Sequence, residues 1–277
     1  MSEVLDDALR TALTAFATDD GAALLVALDF DGVLAPLVDD PAASRMTAGA
    51  RAAVDRIGAL AAAHGTNVRL AFVSGRDLDD LALLAEPPAG AYVVGSHGAQ
   101  TGRATPDGLD SVPLTLTDEQ ATTLGELTAA LDEAVAGRPG AWVQRKPSAA
   151  VLHTRQAGPE DTAAAVAAAD AAATRLGLEA MHGKDVVETA VLHTSKGEAL
   201  GRLRRVVAED LAAPAVRVLY AGDDTTDEKA FAVLGDGDVT VKVGPGETLA
   251  DQRVTDPEAV AALLGRLADL IEGDAGS

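Results

Sequence analysis

Short apolar runs alternate with longer helical stretches along most of this chain, and this alternation most constrains its fold. Each run has the length of one buried strand rather than of a membrane span. Five runs stand out, at residues 24–28, 68–73, 91–94, 216–221 and 239–243. Strands that alternate with helices are typical of a parallel sheet covered by helices on both faces. The sequence therefore predicts an α/β fold with a doubly wound parallel sheet.

The middle of the chain follows a different pattern. Residues 102–112 are rich in Gly, Thr, Asp and Pro, which indicates a boundary between two domains. After it, helix, two strands, helix and two strands follow one another, and then the first pattern resumes. We therefore expect a core domain made of residues 1–104 and 189–277, with an α+β domain (αββαββ) inserted at 105–188. An N-terminal helix of about 20 residues is also expected.

Charge and composition exclude several classes of function. The chain has 277 residues with 43 acidic and 22 basic side chains, and its net charge of −21 repels nucleic acid and anionic membranes. A phosphate ligand must therefore meet a local cluster of positive charge. There is no cysteine, which excludes disulfides, a thiol nucleophile and cysteine-bound metals. The sequence shows neither a signal peptide nor a transmembrane segment, so we expect a soluble, cytoplasmic protein.

Polar clusters follow three of the predicted strands. The carboxyl ends of parallel strands meet at one edge of a sheet, so these clusters should converge. Lys196 opens the helix that precedes the fourth long strand and adds a positive charge. Carboxylates beside a lysine suit a hard metal ion and a phosphate group. The residues are Asp29 and Asp31; Ser74 and Arg76; and Asp223, Asp224 and Asp227.

Several well-known site motifs fit the segment Asp29-Phe30-Asp31-Gly32 poorly. A calcium-binding EF-hand loop needs glycine at its sixth position and glutamate at its twelfth, whereas here glycine is fourth and Asp40 is twelfth. The sequence has neither the phosphate-binding pattern GxxxxGK[ST] nor the zinc-peptidase pattern HExxH. A retaining glycosidase could use two such carboxylates, but Lys196 and Asp223 would then have no role.

The motifs taken in order resemble those of the haloacid dehalogenase superfamily of phosphatases, and more closely the trehalose-6-phosphate phosphatase family. The resemblance covers residues 24–270 and implies a Rossmann-like core with an inserted cap domain. It rests on Asp29-Phe30-Asp31-Gly32, Ser74-Gly75-Arg76, Gly95-Ser96-His97-Gly98, Lys146, His153-Thr154-Arg155, Gly183-Lys184, Glu188, Lys196 and Gly222-Asp223-Asp224-Thr225-Thr226-Asp227-Glu228.

The resemblance implies a magnesium-dependent hydrolysis of trehalose 6-phosphate through an aspartyl-phosphate, the last step of trehalose biosynthesis. Asp29 would be the nucleophile, and Asp31 the residue that donates and then accepts a proton. Ser74 and Lys196 would bind the transferring phosphoryl group. The metal ligands would be Asp29, the Asp31 carbonyl and Asp223, with Asp224 and Asp227 around the metal's waters. Functional pairing with a trehalose-6-phosphate synthase is implied as well.

The same resemblance implies a sugar-binding role for a second group of residues. They are Arg76, Ser96, His97 and Gly98 in the core, and Lys146, Arg155, Lys184 and Glu188 in the cap domain. The sequence departs from the family pattern at three positions. Gln144 and Gln100 stand where an acid is common, and Ser96 stands where asparagine is common. These differences bear on sugar specificity rather than on phosphoryl transfer.

Two alternatives therefore stay open. One is a phosphatase of the same type that acts on another sugar phosphate, such as sucrose phosphate or mannosylglycerate phosphate. The other is a non-catalytic sensor of a sugar phosphate, or a scaffold for a synthase. The complete set Asp29, Asp31, Lys196 and Asp223 favours an enzyme over a sensor.

Overall fold

The computed structural model of the protein describes residues 5–19, 21–192 and 194–274. The strands are β1 (Ala23–Leu28), β2 (Val68–Val73), β3 (Tyr92–Gly95), β4 (Gln100–Thr105), β5 (Gly108–Val112), β6 (Trp142–Lys146), β7 (Ala149–His153), β8 (Ala180–Gly183), β9 (Val186–Ala190), β10 (Val216–Gly222), β11 (Val239–Val243) and β12 (Gln252–Val254). The helices are α1 (Asp7–Ala17), α2 (Ala48–Ala62), α3 (Leu78–Ala85), α4 (Asp118–Val135), α5 (Pro159–Leu176), α6 (Lys196–Asp210), α7 (Thr225–Phe231) and α8 (Pro257–Asp274).

The chain divides into two compact units. Unit 1 comprises Met1–Val112 and Thr194–Ser277, and unit 2 comprises Pro113–His193. The predicted insertion at 105–188 differs from unit 2 at both ends. Residues 102–112, interpreted from sequence as a boundary, instead form most of the hairpin β4–β5, which pairs with β3 and so stays with unit 1. At the other end, Thr189 and Ala190 complete strand β9 of unit 2.

Unit 1 is built on a sheet whose strands, within the described residues, follow the order β12-β11-β10-β1-β2-β3-β4-β5. Strands β12 to β3 pair in parallel, and β4 pairs in antiparallel fashion with β3 on one side and with β5 on the other. The predicted doubly wound α/β fold is confirmed. Three of these strands were not predicted: β4 and β5 of the hairpin, and the short edge strand β12. Each carries too few alternating apolar residues to indicate a strand without its neighbour.

The two faces of this sheet are covered by different helices, as the alternation of side chains along β1 requires. Leu24, Val26 and Leu28 point into a core that contains Val54 and Ile57 of α2 together with Leu263, Leu264 and Leu267 of α8. Ala23, Leu25 and Ala27 point to the other side, where Leu200, Leu203 and Val207 of α6 cover them. Because β1 is buried on both faces, its sequence is continuously apolar rather than alternating.

Unit 2 is a four-stranded antiparallel sheet of order β6-β7-β9-β8, within the residues described, with two helices on one face. Ala150, Leu152 and Val187 point toward α4 and α5. Helix α4 begins with a capping box, in which Thr117 and Gln120 each bond the other's backbone amide. Helix α5 is followed by Leu178, whose amide donates to the Ala173 carbonyl at 2.9 Å, and the turn between β8 and β9 lies at Lys184-Asp185.

The described part of the N-terminal helix is shorter than the helix predicted from sequence. Helix α1 covers Asp7–Ala17, and residues 1–4 and 20 of the longer helix expected from sequence lie outside the described residues. Helix α7 begins at Thr225, since Asp224 serves as its N-cap. None of the helices that the structure describes is both long enough and apolar enough to cross a membrane.

Candidate active site

The carboxyl ends of β1 and β10 bring the two key acidic motifs together. These strands are parallel neighbours with Leu28 beside Ala221, and the Asp29 amide donates to the Ala221 carbonyl at 3.0 Å. Asp29 follows β1 directly and is buried, and Asp223 follows β10. The predicted convergence of these carboxylates at one edge of the sheet is thus observed in unit 1.

The glycine in the first motif has a steric reason. Gly32 has a φ of +71°, and a Cβ added to it would lie 2.0 Å from Oδ2 of Asp223. Any other residue would therefore be strained in backbone conformation and would collide with the carboxylate of the second motif. The close approach of the two acidic loops accounts for the glycine that follows Asp31 at this position.

Lys196 lies buried between two carboxylates. It is the first residue of α6, whose N-cap Ser195 accepts from the Glu198 amide at 3.2 Å. Its Nζ donates to Oδ2 of Asp29 at 2.5 Å and to Oδ1 of Asp227 at 2.7 Å, and only 2% of its side chain is exposed. Burial by itself would lower the pKa of Lys196, but the two carboxylates outweigh burial and raise that pKa. The lysine is therefore a permanent cation at neutral pH.

Asp227 connects this lysine to the start of α7. It is completely buried, and its Oδ2 accepts from the Asp224 amide at 2.9 Å in a capping box. The hydroxyl of Tyr220 donates to Oδ1 of Asp227 at 2.5 Å. The side chain of Asp224 accepts from the Thr225 amide at 2.5 Å. Both acids thus orient the helix and the lysine in this structure.

Three carboxylates form a cluster that could hold a metal ion. One oxygen each of Asp29, Asp223 and Asp227 lie within 4.8 Å of one another. Burial, partly offset by Lys196, raises the pKa of Asp29 to about 7, and burial together with Asp227 raises the pKa of Asp223 to about 6. Buried acids at such spacing repel one another when ionised, and a hard divalent cation relieves this repulsion. The donor set fits such a cation. The Asp31 carbonyl as a further ligand stays a prediction.

The side chain of Asp31 is held by two donors. Arg76 donates to it through two nitrogens, from Nε to Oδ2 at 2.5 Å and from Nη2 to Oδ1 at 2.8 Å. The hydroxyl of Ser44, which is completely buried, donates to Oδ1 of Asp31 at 2.8 Å. Arg76, predicted to contact substrate, thus binds the predicted proton donor in this structure.

Ser74 and the loop after β3 are joined by backbone bonds at the same edge of the sheet. The Ser74 amide donates to the Val94 carbonyl at 2.9 Å, and the His97 amide donates to the Ser74 carbonyl at 3.0 Å. The His97 ring lies over Gly75, where an added Cβ would meet its Cε1 at 2.4 Å. Both Ser96 and His97 have positive φ, of 48° and 54°. The loop is therefore held in a strained conformation that places His97 against the segment Ser74–Arg76.

Gln100 supports this loop. Its Oε1 accepts from the Ser96 hydroxyl at 2.6 Å and from the Leu78 amide at 3.2 Å, at the start of α3. Gly98, also predicted to contact substrate, is buried, and its carbonyl accepts from Arg202 at 2.6 Å. Ser96, Gln100 and Gly98 therefore have structural partners of their own within unit 1.

In unit 2, the structure pairs two of the four residues that were predicted to bind the sugar. Nζ of Lys146 on β6 lies 3.0 and 2.9 Å from the two carboxylate oxygens of Glu188 on β9. Arg155 and Lys184 lie in two exposed turns, after β7 and after β8. These turns are neighbours, because the Thr154 amide donates to the Asp185 carbonyl at 2.9 Å.

Three polar residues at the unit 1 site were not selected from sequence. They are Ser44, Tyr220 and Lys242, whose Nζ donates to the backbone carbonyl of Asp223. Tyr220 and Lys242 had a signal, since each is a polar side chain in a largely apolar, buried strand. Ser44 had none, because a serine in a loop is ordinary.

Comparisons with known proteins agree with this geometry. The family model described as trehalose-phosphatase matches residues 27–257. Trehalose-phosphate phosphatases of Mycobacterium marinum and Mycobacterium ulcerans are 33% and 34% identical over 97% of this chain, which covers 67% of the length of each. The chain belongs to the trehalose-phosphatase family. The resemblance drawn from the motifs is thereby confirmed.

Among solved structures, the C-terminal domain of the C. albicans trehalose-6-phosphate phosphatase has a TM-score of 0.73 and 23% identity, with 94% of this chain and 96% of that chain covered. This likeness supports the fold class. For a trehalose-phosphatase, the acidic cluster at β1 and β10 is where the divalent metal that the family implies would be held. The family is one of phosphatases, so the chain is identified as a phosphoric monoester hydrolase.

Proposed function

We propose that this protein hydrolyses trehalose 6-phosphate to trehalose and phosphate with Mg²⁺ as its cofactor. The observation that carries the proposal is the buried cation Lys196, which is shared by Asp29 and Asp227 beside Asp223. A nucleophilic carboxylate needs such a cation, because an anionic phosphate would otherwise be repelled. Membership of the family supports the substrate.

The proposed reaction has two steps. In the first, a carboxylate oxygen of Asp29 forms a bond to phosphorus while the bond from phosphorus to the sugar oxygen breaks, and Asp31 gives that oxygen a proton. In the second, a water molecule attacks the aspartyl-phosphate, Asp31 takes the water's proton, and the bond between phosphorus and Asp29 breaks. Lys196 and Ser74 hold the phosphoryl oxygens during both steps.

Asp29, Asp223 and the Asp31 carbonyl would hold Mg²⁺, with Asp227 and Asp224 near its waters. Bound there, the ion would neutralise charge on the phosphoryl oxygens. Lys146, Arg155, Lys184 and Glu188 of unit 2, with Arg76, Ser96, His97 and Gly98 of unit 1, are proposed to select the sugar. A synthase that makes trehalose 6-phosphate would supply this substrate and is the proposed functional partner.

The first test is phosphate release from trehalose 6-phosphate, with Mg²⁺ and with EDTA, beside sucrose phosphate, mannosylglycerate phosphate and p-nitrophenyl phosphate. Fast, magnesium-dependent release from trehalose 6-phosphate, abolished in Asp29→Asn, is expected. Gln144, which stands where an acid is common, makes other sugar phosphates worth testing. A preference for one of them would overturn the proposed substrate but leave the proposed mechanism standing. Failure to release phosphate from any of them would favour the non-catalytic sensor.

A further inference from the structure

The sheet of unit 2 has one face that its own helices do not occupy. Ala150, Leu152 and Val187 point toward α4 and α5, so their sequence neighbours point to the opposite side. The strand register places cross-strand partners on the same face, and the opposite face therefore includes Trp142, Gln144, Lys146, His153 and Glu188. This set combines one large aromatic ring with amide and charged groups.

Trp142 is held flat on this face. Its ring is stacked on the ring of His153, its cross-strand partner, with centroids 4.0 Å apart and planes within 5° of parallel. Trp142 nevertheless remains 49% exposed. With one face of the indole against His153, the accessible surface belongs to its edges and its other face. The ring is therefore both oriented and available for contact.

The supporting histidine is fixed and neutral. Nε2 of His153 shares a hydrogen bond of 3.0 Å with Oε1 of Gln144, which fixes the ring in its plane. Partial burial, and then the nearby charge of Lys146, lower the pKa of His153. The imidazole is consequently uncharged at neutral pH, and the stacked pair presents an apolar surface.

Hydrogen-bonding groups lie beside the flat ring. Gln144 and Lys146 follow Trp142 at alternate positions of β6, and Lys146 pairs with Glu188 across β7. The side chains of Lys146 and Glu188 are only 9% and 17% exposed, so their charges are partly desolvated. A pyranose ring has a face of C–H groups, which suits a flat aromatic surface, and a rim of hydroxyls, which suits amide and charged partners.

We propose that Trp142, supported by His153 and Gln144, is a specificity-determining residue that stacks against a pyranose ring of the sugar. The inference deepens the proposed function and rests on it for the identity of the substrate. Trp142 supplies binding that does not change between ground state and transition state, because it touches the sugar and not the phosphoryl group. The competing hypothesis is that the stacked pair only stabilises the edge strand β6.

Trp142 is the only tryptophan in the chain, so its own fluorescence reports on this surface. Trehalose, which has no phosphate, is titrated into the wild-type protein while acrylamide quenches the indole emission. Bound sugar should shield the ring and lower the quenching constant in a saturable way, whereas glycerol and inorganic phosphate should not. If saturating trehalose leaves the quenching constant unchanged, the ring does not bind the sugar and the proposal is overturned.

Steady-state kinetics give a second, independent test. Trp142→Ala should raise KM for trehalose 6-phosphate roughly tenfold with kcat nearly unchanged. Trp142→Phe, which keeps an aromatic ring, should raise KM less. Hydrolysis of p-nitrophenyl phosphate should stay as in the wild type. The matched control is Arg145→Ala, the neighbour on the other face of β6, which is paired with Asp132. A KM for Trp142→Ala equal to that of the control would leave Trp142 with a structural role only.

Failure of this inference can be told apart from failure of the proposed function. If the wild type prefers another sugar phosphate, the proposed substrate is wrong, and a tenfold higher KM for that compound in Trp142→Ala still supports the stacking surface. If Trp142→Ala does not fold, Trp142→Phe and the quenching titration of the wild type decide the matter. Normal hydrolysis of trehalose 6-phosphate together with an unshielded Trp142 overturns the inference alone.

Discussion

At the scale of single residues, the candidate site holds more acidic than basic side chains, and two of its basic side chains are each bonded to one or two of the acids. Lys196 is shared by Asp29 and Asp227, and Arg76 is committed to Asp31. The chain carries a net charge of −21, so these local cations are what make the site suitable for a phosphate. Asp31 is also bonded by Ser44, and this contact allows the proposed proton donor to be tested without changing it.

Ser44→Ala should slow hydrolysis of trehalose 6-phosphate more than that of p-nitrophenyl phosphate. The Ser44 hydroxyl lies 2.8 Å from Oδ1 of Asp31, and its loss leaves that oxygen to Arg76 alone. A sugar alkoxide needs a proton to leave, whereas p-nitrophenolate does not, so we expect roughly a tenfold loss of kcat on the sugar phosphate only. The measurement is kcat and KM on both substrates.

The control for this prediction is Ser148→Ala, a change at another buried serine, in unit 2. Its ratio of activities on the two substrates should equal that of the wild type. Equal losses on both substrates in Ser44→Ala would show that Ser44 supports the fold and does not orient a proton donor.

At the scale of elements, the strand ends were predictable and the helix contacts were not. The motifs after β1, β2 and β10 were predicted to meet because parallel strands end at one edge. The strands β7 and β9 of unit 2 were likewise predicted from their short apolar segments. What the pattern could not show is which residues of α5 cover that sheet, because this alanine-rich helix has no strongly apolar face to distinguish.

Leu131→Ala should destabilise the protein markedly. Leu131 of α4 is completely buried among Leu127, Leu152 and Ala169 in the core of unit 2. Truncation leaves a cavity, and we expect a loss of about 2–5 kcal/mol in the free energy of unfolding. Urea denaturation followed by circular dichroism measures it. Leu83→Ala is the matched control, since Leu83 is 73% exposed and its truncation should shift the midpoint little. Similar shifts in both variants would contradict the packing.

At the scale of the whole molecule, the ionisation of Asp29 and Asp223 links the stability of the fold to the binding of a cation. The raised pKa values of Asp29, about 7, and Asp223, about 6, exceed their ordinary value of 3.8. Without metal, the folded protein therefore keeps protons that the unfolded chain has already lost between about pH 4 and 7. The contribution of these acids to stability falls as the pH rises through that range. A bound cation reverses this loss, because it stabilises the ionised form.

We therefore predict that Mg²⁺, the proposed cofactor, raises Tm more at pH 8 than at pH 5. At pH 5 the metal must displace protons from Asp29 and Asp223, whereas at pH 8 both are ionised. Differential scanning calorimetry gives Tm with Mg²⁺ and with EDTA at each pH. Taking the difference at one pH removes the effect of groups that titrate elsewhere in the chain. Asp223→Asn should remove most of the increase. An equal increase at both pH values would contradict this account of the acidic cluster.

The sequence by itself determined the doubly wound sheet and the family, because periodic apolar runs and motifs such as Asp29-Phe30-Asp31-Gly32 depend on local spacing. Only the tertiary structure decided which partners these residues have. Ser44 and Arg76 meet at Asp31, and Tyr220 and Lys196 meet at Asp227. The hairpin β4–β5 likewise became visible only through its pairing with β3. The contacts of Arg76 with Asp31 and of Lys196 with Asp227 join segments 45 and 31 residues apart, and the local pattern of residues carries no record of that proximity.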